Sequence, residues 1–252
     1  MKPQRKFLIG ALAAAVAVSA TGIAYSAQTQ IAQMNVKPKK LLKKKRKPVR
    51  LFVRVATQDP TSPTGIPSPA TRARVHFDNA FLFNARVAGR CPPSRIADSP
   101  NTAEARRRCG RALVGAGRAI VLSPSGDPAN PNAFGGVVSA FNSTPRGRRP
   151  TIILYTYIEA LNFGQPLIGV LKKSGAGRDF GKVLDVTIPP LTGGAALVDF
   201  RVAVGRGFKR RYVKANCSDR NRRLNIRARF NYADGNALTA RARQRCFVIR
   251  RR

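Results

Sequence analysis

The chain has 252 residues and carries 47 lysines and arginines against 11 aspartates and glutamates, a formal net charge of +36. A charge of this size attracts polyanions at long range whatever the fold, so it favours anionic polymers, anionic surfaces and nucleic acid as partners. One histidine and four cysteines without Cys-x-x-Cys spacing argue against a metal site, and no cofactor is expected.

Residues 1–27 have the three-part order of a secretory signal peptide. Lys2, Arg5 and Lys6 precede an uncharged, alanine-rich run over residues 7–24, and small residues then offer several cleavage points. The run is short for a membrane span, which needs about 20 apolar residues, so cleavage is favoured over an uncleaved anchor. The sequence therefore predicts an exported protein, secreted or associated with the cell envelope, with no transmembrane segment after cleavage.

Residues 28–50 are predicted to form a disordered basic linker. Nine basic residues and no acid lie between Lys37 and Arg50, and Pro38 and Pro48 interrupt the run. Like charges repel along such a segment, and no periodic apolar pattern offers it a face to bury. We therefore expect this linker to be dispensable for folding.

Residues 51–252 show the pattern of an all-β domain. Short runs with alternating apolar and polar residues are separated by Pro, Gly, Asn and Ser, as between Val198 and Val204. Alternation of this kind is typical of a sheet with one buried face, and many such strands indicate a sandwich or barrel. The favoured interpretation is a single β-sandwich of many short antiparallel strands, since no linker-like stretch divides the region.

One short helix is predicted after residue 98. Ser99 suits the N-cap and Pro100 the first helical position, three arginines lie at residues 106–108 near the C-terminal end, and Gly110 can end the helix. The four cysteines of an exported chain indicate disulfides, and four cysteines allow three pairings. The local pairs Cys91–Cys109 and Cys217–Cys246 are favoured, the first of which would tie the helix to its approach.

Several short pieces of the chain occur in an order that resembles a known family. These are Phe81-Leu82-Phe83-Asn84, Cys91 with Ser94 and Ile96, Cys109-Gly110 followed by Val114 to Ala119, Ala140-Phe141-Asn142, Val186-Thr187-Ile188-Pro189, and Tyr212 to Cys217 leading to Phe230 to Gly235. The order is similar to that of a family of uncharacterised exported bacterial proteins from high-GC genomes. The resemblance implies an all-β fold with paired cysteines, and it carries over no functional residue.

The C-terminal hairpin contains the candidate site. Even-numbered apolar residues alternate with odd-numbered polar ones on both sides of Asp234-Gly235-Asn236. Burying both apolar sets requires a turn that has an odd number of residues or contains a bulge. A turn over these three residues would place Arg229 opposite Arg241 and Arg227 opposite Arg243, with Arg245 beyond. This face is either a solvated surface or an arginine ladder that binds phosphates or carboxylates.

No catalytic motif stands out. His76 alternates onto the polar side of its strand and has no evident acid–base partner, so it is predicted to be structural. Gly115-Ala116-Gly117 lacks the third glycine of a dinucleotide loop and indicates a turn or bulge. We therefore expect a non-catalytic, secreted protein that binds anionic envelope material electrostatically. The alternatives are a carbohydrate-active hydrolase with unidentified acids and a nucleic-acid binder, which the scarcity of aromatics disfavours.

Overall fold

The computed structural model describes residues 28–127, 130–217 and 222–249, so the predicted signal peptide lies outside the described residues. The described chain is mostly β-structure, with one α-helix, α1, at Thr102–Cys109. The strands are β1 (Thr29–Lys37), β2 (Lys40–Leu42), β3 (Lys47–Pro48), β4 (Arg50–Gln58), β5 (Ala70–Asp78), β6 (Phe81–Phe83), β7 (Leu113–Ser123), β8 (Asn132–Arg146), β9 (Arg149–Ile158), β10 (Phe163–Lys173), β11 (Phe180–Thr187), β12 (Ala196–Gly205), β13 (Val213–Ala215), β14 (Arg223–Tyr232), β15 (Ala237–Arg245) and β16 (Phe247–Ile249).

Eleven strands form one antiparallel sheet in the order β1-β4-β12-β7-β8-β9-β10-β11-β5-β14-β15. The sheet curls until it is nearly barrel-shaped, because its two edge strands β1 and β15 lie side by side. The Gln244 side chain bridges them: its oxygen accepts from the Val36 N–H at 2.5 Å, and its amide donates to the Val36 carbonyl at 3.0 Å. The all-β class is confirmed, whereas the two packed sheets of a sandwich are not.

The apolar residues of these strands meet inside the curled sheet. On β4, Leu51 and Val55 are buried and Arg54 on the opposite face is partly exposed, which is the alternation read from the sequence. Two small sheets, β3-β13-β6 and the parallel pair β2-β16, extend the same core through Val213 and Leu41, neither of which is exposed. Burying such side chains contributes roughly 1.5–3 kcal/mol each.

The predicted disordered linker is wrong over residues 29–50. These residues contain β1, β2, β3 and the start of β4, and β1 pairs with β4 along its whole length. The physical reason is an alternation of apolar and polar residues in β1. Ala32, Met34 and Val36 pack towards the core, and the residues between them are exposed. The lysine-rich stretch that follows is anchored by the buried Leu41 and Leu42.

Both disulfides are present with the predicted pairing, Cys91–Cys109 and Cys217–Cys246, and no free cysteine occurs in the described chain. The first bond ties α1 to its approach, as expected. The two cysteines of this bond pack against Phe141 of β8 and Ile153 of β9, in a buried cluster that is separate from the main core.

Helix α1 begins two residues later than predicted. Asn101 is the N-cap, and its side-chain oxygen accepts from the Glu104 N–H at 2.8 Å. Ser99 does not cap the helix: its hydroxyl is buried without a hydrogen-bond partner among the described residues, and its carbonyl accepts from the Tyr155 hydroxyl at 2.7 Å. Within the helix, ion pairs with Arg107 and Arg108 lower the pKa of Glu104 to about 2.

No helix among the described residues is long and apolar enough to cross a bilayer.

Tyr212 leads to the first stability prediction. Its side chain is 1 % exposed, and its hydroxyl has no hydrogen-bond partner within the described residues. Burial alone raises its pKa far above the usual value. A buried hydroxyl without a partner costs about 1–3 kcal/mol, so Tyr212→Phe should raise the free energy of unfolding by about 1 kcal/mol. Chemical denaturation checks this, and a variant less stable than the parent would mean that the hydroxyl has a partner.

Candidate anion-binding site

Strands β14 and β15 form the predicted hairpin, but they pair in a register shifted by two residues. Arg227 lies opposite Arg241 instead of Arg243, and Arg229 lies opposite Thr239 instead of Arg241. The predicted pairings of Arg229 with Arg241 and of Arg227 with Arg243 are therefore wrong. One direct arginine pair remains within the predicted set.

The position of Gly235 explains the shift. The Tyr232 N–H donates to the Asn236 carbonyl at 3.0 Å, so the loop is Ala233 to Gly235 and begins one residue earlier than predicted. A three-residue hairpin loop ends with a residue in the left-handed region, which favours glycine. Gly235, with φ 84°, occupies that place, whereas the predicted loop would have ended on Asn236. The odd number of loop residues was correct.

The arginines of the hairpin share the outward face. Even-numbered residues of β14 are buried and odd-numbered ones are partly or fully exposed. In β15 the odd-numbered residues are exposed and the even-numbered ones are buried or partly buried. If each even-numbered residue of one strand had paired with an odd-numbered residue of the other, the arginines of one strand would have pointed into the core. Burying an unpaired charge is too costly for that arrangement.

A groove of about 530 Å³ separates this hairpin from the loop between β10 and β11. Four of its lining side chains are arginines. The described lining residues are Ala176, Asp179, Phe180, Arg223, Asn225, Ile226, Arg227, Arg241 and Arg243. The groove thus brings together three of the five predicted arginines and adds one that the sequence analysis missed.

The missed residue is Arg223. It has the same parity as Arg227 and lies opposite Arg245 at the end of the hairpin, so continuing the alternation one residue further would have found it. Arg229 and Arg245 do not line this groove. Arg229 lies beside Arg74 of β5, and Arg245 faces a different depression of the surface.

Neighbouring basic residues share an ion pair with one carboxylate, whereas the arginines of the groove have no such partner among the described residues. Asp185 on β11 accepts from Arg72 at 2.7 and 2.8 Å and from Lys172 at 2.6 Å, and Arg74 lies 4.0 Å away. The hydrogen bond from Arg72, followed by that from Lys172, holds the pKa of Asp185 well below its usual range. Within the described residues, none of the four groove arginines forms an ion pair.

An aromatic ring positions one of these arginines. The Arg227 guanidinium lies over the Phe180 ring, 5.5 Å from its centroid. Such a cation–π contact contributes roughly 0.5–1 kcal/mol at an exposed site and restricts the side chain. Arg227 therefore presents its donors to the groove from a limited set of conformations.

His76 lies on the same face as the arginines, as predicted, but it is only 9 % exposed. Its neighbours in the sheet are Arg227 and Val183, and its Nδ1 lies 2.8 Å from the Ser174 hydroxyl. Burial, and then the charges of Arg227 and Arg74, lower its pKa. His76 is therefore neutral at physiological pH and adds no charge to the groove.

The Asp78 carboxylate is engaged in hydrogen bonds within the fold. Asp78 lies near the groove, but its carboxylate accepts from the Ala80 N–H and from both the backbone and side-chain N–H groups of Asn225. Burial is the main cause that raises its pKa, with a smaller contribution from Asp179. The carboxylate joins β5 to β14, which is a structural role. No group of three metal-ligating side chains occurs in the described parts of the chain.

No family model, curated protein or solved structure matches this chain. The family resemblance therefore stays a prediction, and the geometry of the groove carries the functional argument.

Proposed function

We propose that this is an exported, non-catalytic protein that binds anionic polymers of the cell envelope in the groove beside β14 and β15. The observation that carries the proposal is that Arg223, Arg227, Arg241 and Arg243 line one groove without an ion pair in the described structure. The two disulfides are compatible with an oxidising location outside the cytoplasm and so support export.

The placement of these arginines favours a ligand with several anionic groups. Arg227 and Arg241 oppose each other directly across the hairpin, and like charges in that position destabilise a sheet. A bound polyanion removes this repulsion, and guanidinium groups bind phosphate or carboxylate through two parallel hydrogen bonds. The strands fix the backbone that carries these arginines, and the contact with Phe180 restricts the Arg227 side chain, which lowers the order to be gained on binding.

A role in reading single-stranded nucleic acid fits less well. Such surfaces stack bases on exposed aromatic rings interleaved with basic residues. Within the described lining of the groove, Phe180 is the only aromatic residue, and Arg227 covers its ring. The groove therefore offers charge without a free stacking surface.

The test is the salt dependence of binding to heparin and to an anionic cell-wall polymer. Replacing Arg223, Arg227, Arg241 and Arg243 by Gln should reduce the slope of log affinity against log salt by about one unit per arginine, by analogy with phosphate neutralisation on nucleic acids. The fold should stay as stable or become slightly more stable, because a repulsion is removed.

The matched control replaces four exposed arginines outside the groove, Arg86, Arg146, Arg148 and Arg206, by Gln. It removes the same charge, so it should weaken binding through net charge alone, and at least about tenfold less than the groove variant at moderate salt. Equal losses for the two quadruple variants would show that only net charge matters and would refute the site.

A further inference from the structure

A second basic groove, with a volume of about 730 Å³, lies next to the first at the open end of the hairpin, where Arg223 pairs with Arg245. Half of its described lining is cationic and the rest is mainly apolar. The cations are Lys43, Lys44, Lys45, Arg222 and Arg245, and the other lining residues are Leu42, Cys246, Phe247, Val248 and Ile249. No acidic side chain lines it among the described residues.

The lysine loop that forms one wall is held in place by the fold. Strand β2 before it pairs with β16, and the Leu42 carbonyl accepts from the Cys217 N–H at 3.0 Å. The Lys43 carbonyl accepts from the Asn216 side chain at 2.8 Å. After the loop, the Arg46 guanidinium donates to the carbonyls of Asn79 and Ala80. Lys44 and Lys45 are therefore carried by a backbone fixed on both sides.

The opposite wall is apolar and partly open to solvent. Phe247 is 46 % exposed, an unusual position for a large aromatic side chain next to a disulfide, and Val248 and Ile249 beside it are half-buried. The Arg245 guanidinium lies 5.6 Å from the centroid of the Phe247 ring. Cationic and apolar surfaces thus adjoin within one groove, whereas the described lining of the arginine groove offers mainly polar and charged groups.

We propose that this groove binds an anionic lipid. Lys44, Lys45, Arg222 and Arg245 would contact the phosphate of the headgroup, and Phe247 would insert beside the first carbons of the acyl chains. The chemistry is that of surfaces that attach to anionic membranes, where basic residues attract the headgroups and apolar side chains enter the interface. A purely hydrophilic polyanion would leave Phe247 and its apolar neighbours in water.

This site shares no lining residue with the arginine groove of the proposed function, so each can fail without the other. The probe is a set of vesicles of phosphatidylglycerol in phosphatidylcholine, with binding measured by co-sedimentation over a range of lipid concentrations. A lysine near an anionic surface contributes about a fivefold increase in affinity. Lys44→Gln with Lys45→Gln should therefore weaken vesicle binding about 10- to 30-fold.

The matched control for charge is Lys173→Gln with Lys182→Gln. These two lysines are exposed and lie opposite each other on β10 and β11, so the control removes the same charge from another part of the sheet. We expect it to weaken vesicle binding less than about threefold. Equal losses for the two pairs would overturn the proposal, since they would show attraction by net charge alone.

A second arm separates a lipid from a free phosphate. Phe247→Ala should weaken vesicle binding about 5- to 10-fold because it removes apolar contact with the interface. Leu161→Ala, at a side chain with 45 % exposure, is the control and should have no effect. Soluble glycerol phosphate should not displace the protein from vesicles. Unchanged binding by Phe247→Ala, together with displacement by glycerol phosphate, would identify a simple phosphate site and overturn the lipid assignment.

Discussion

Gly117→Ala is expected to lower the free energy of unfolding by about 3 kcal/mol or more. Gly117 on β7 pairs with Val202 on β12, and a Cβ added at Gly117 would lie 1.8 Å from the Arg201 carbonyl oxygen. The obstacle is backbone in the middle of the sheet, so it cannot be relieved by a change of side-chain rotamer. Overpacking costs typically 1–3 kcal/mol even where side chains can adjust.

Gly135→Ala is the matched control, since Gly135 lies in the adjacent strand β8 and a Cβ there would meet nothing within 4 Å. Its φ is outside the positive region, so alanine should be neutral or slightly stabilising. Chemical denaturation of both variants provides the measurement. Similar stability of the two would show that β7 and β12 do not approach as closely as the structure indicates.

This close approach was not visible in the sequence. Gly115-Ala116-Gly117 was interpreted as a turn or bulge, and the pairing of β7 with β8 does shift register between Leu113 and Gly115. The larger role of Gly117 depends on β12, about 80 residues further along the chain. Sequence alternation identifies a strand and its buried face, but it does not reveal the neighbour that approaches that strand from the other side.

The candidate site shows the same division between local and long-range information. Alternation correctly placed the hairpin arginines on one face, because a strand has a strict period of two. The register depended on Gly235 in the loop and was predicted two residues off. The groove itself could not be predicted, since its second wall comes from Phe180 and the preceding loop, which pack beside β14 only because β11 and β14 both pair with β5.

The lysine-rich segment was misjudged for a different reason. Its charge pattern is that of a disordered chain, and two leucines, Leu41 and Leu42, were too few to outweigh it. In the structure those leucines are buried and anchor the loop that follows, from which the lysines project. Composition averaged over a segment conceals such anchors, because a few buried side chains are enough to fix a short strand in an existing core.

Strand β1 provides the sharpest test of this correction. Val36→Asp is expected to lower the free energy of unfolding by about 4 kcal/mol or more, or to prevent folding. Val36 is fully buried, and its backbone N–H and carbonyl both bond to the Gln244 side chain at the seam between β1 and β15. The substitution removes an apolar side chain worth roughly 1.5–3 kcal/mol and adds a carboxylate without a partner, which costs several kcal/mol more.

The adjacent Asn35→Asp adds the same charge to an exposed position of the same strand, where it should change stability by less than about 0.5 kcal/mol.

Removing β1 altogether, in a chain that begins at residue 38, should be at least as damaging as Val36→Asp when compared with a chain that begins at residue 28. The truncation also deletes Gln30, which accepts a hydrogen bond from the Thr57 hydroxyl at 2.8 Å inside the curled sheet. The measurement is thermal and chemical unfolding of four proteins: Val36→Asp, Asn35→Asp and the two chains that begin at residues 28 and 38. A disordered linker would tolerate all of the changes equally, whereas a strand that closes the sheet tolerates only Asn35→Asp.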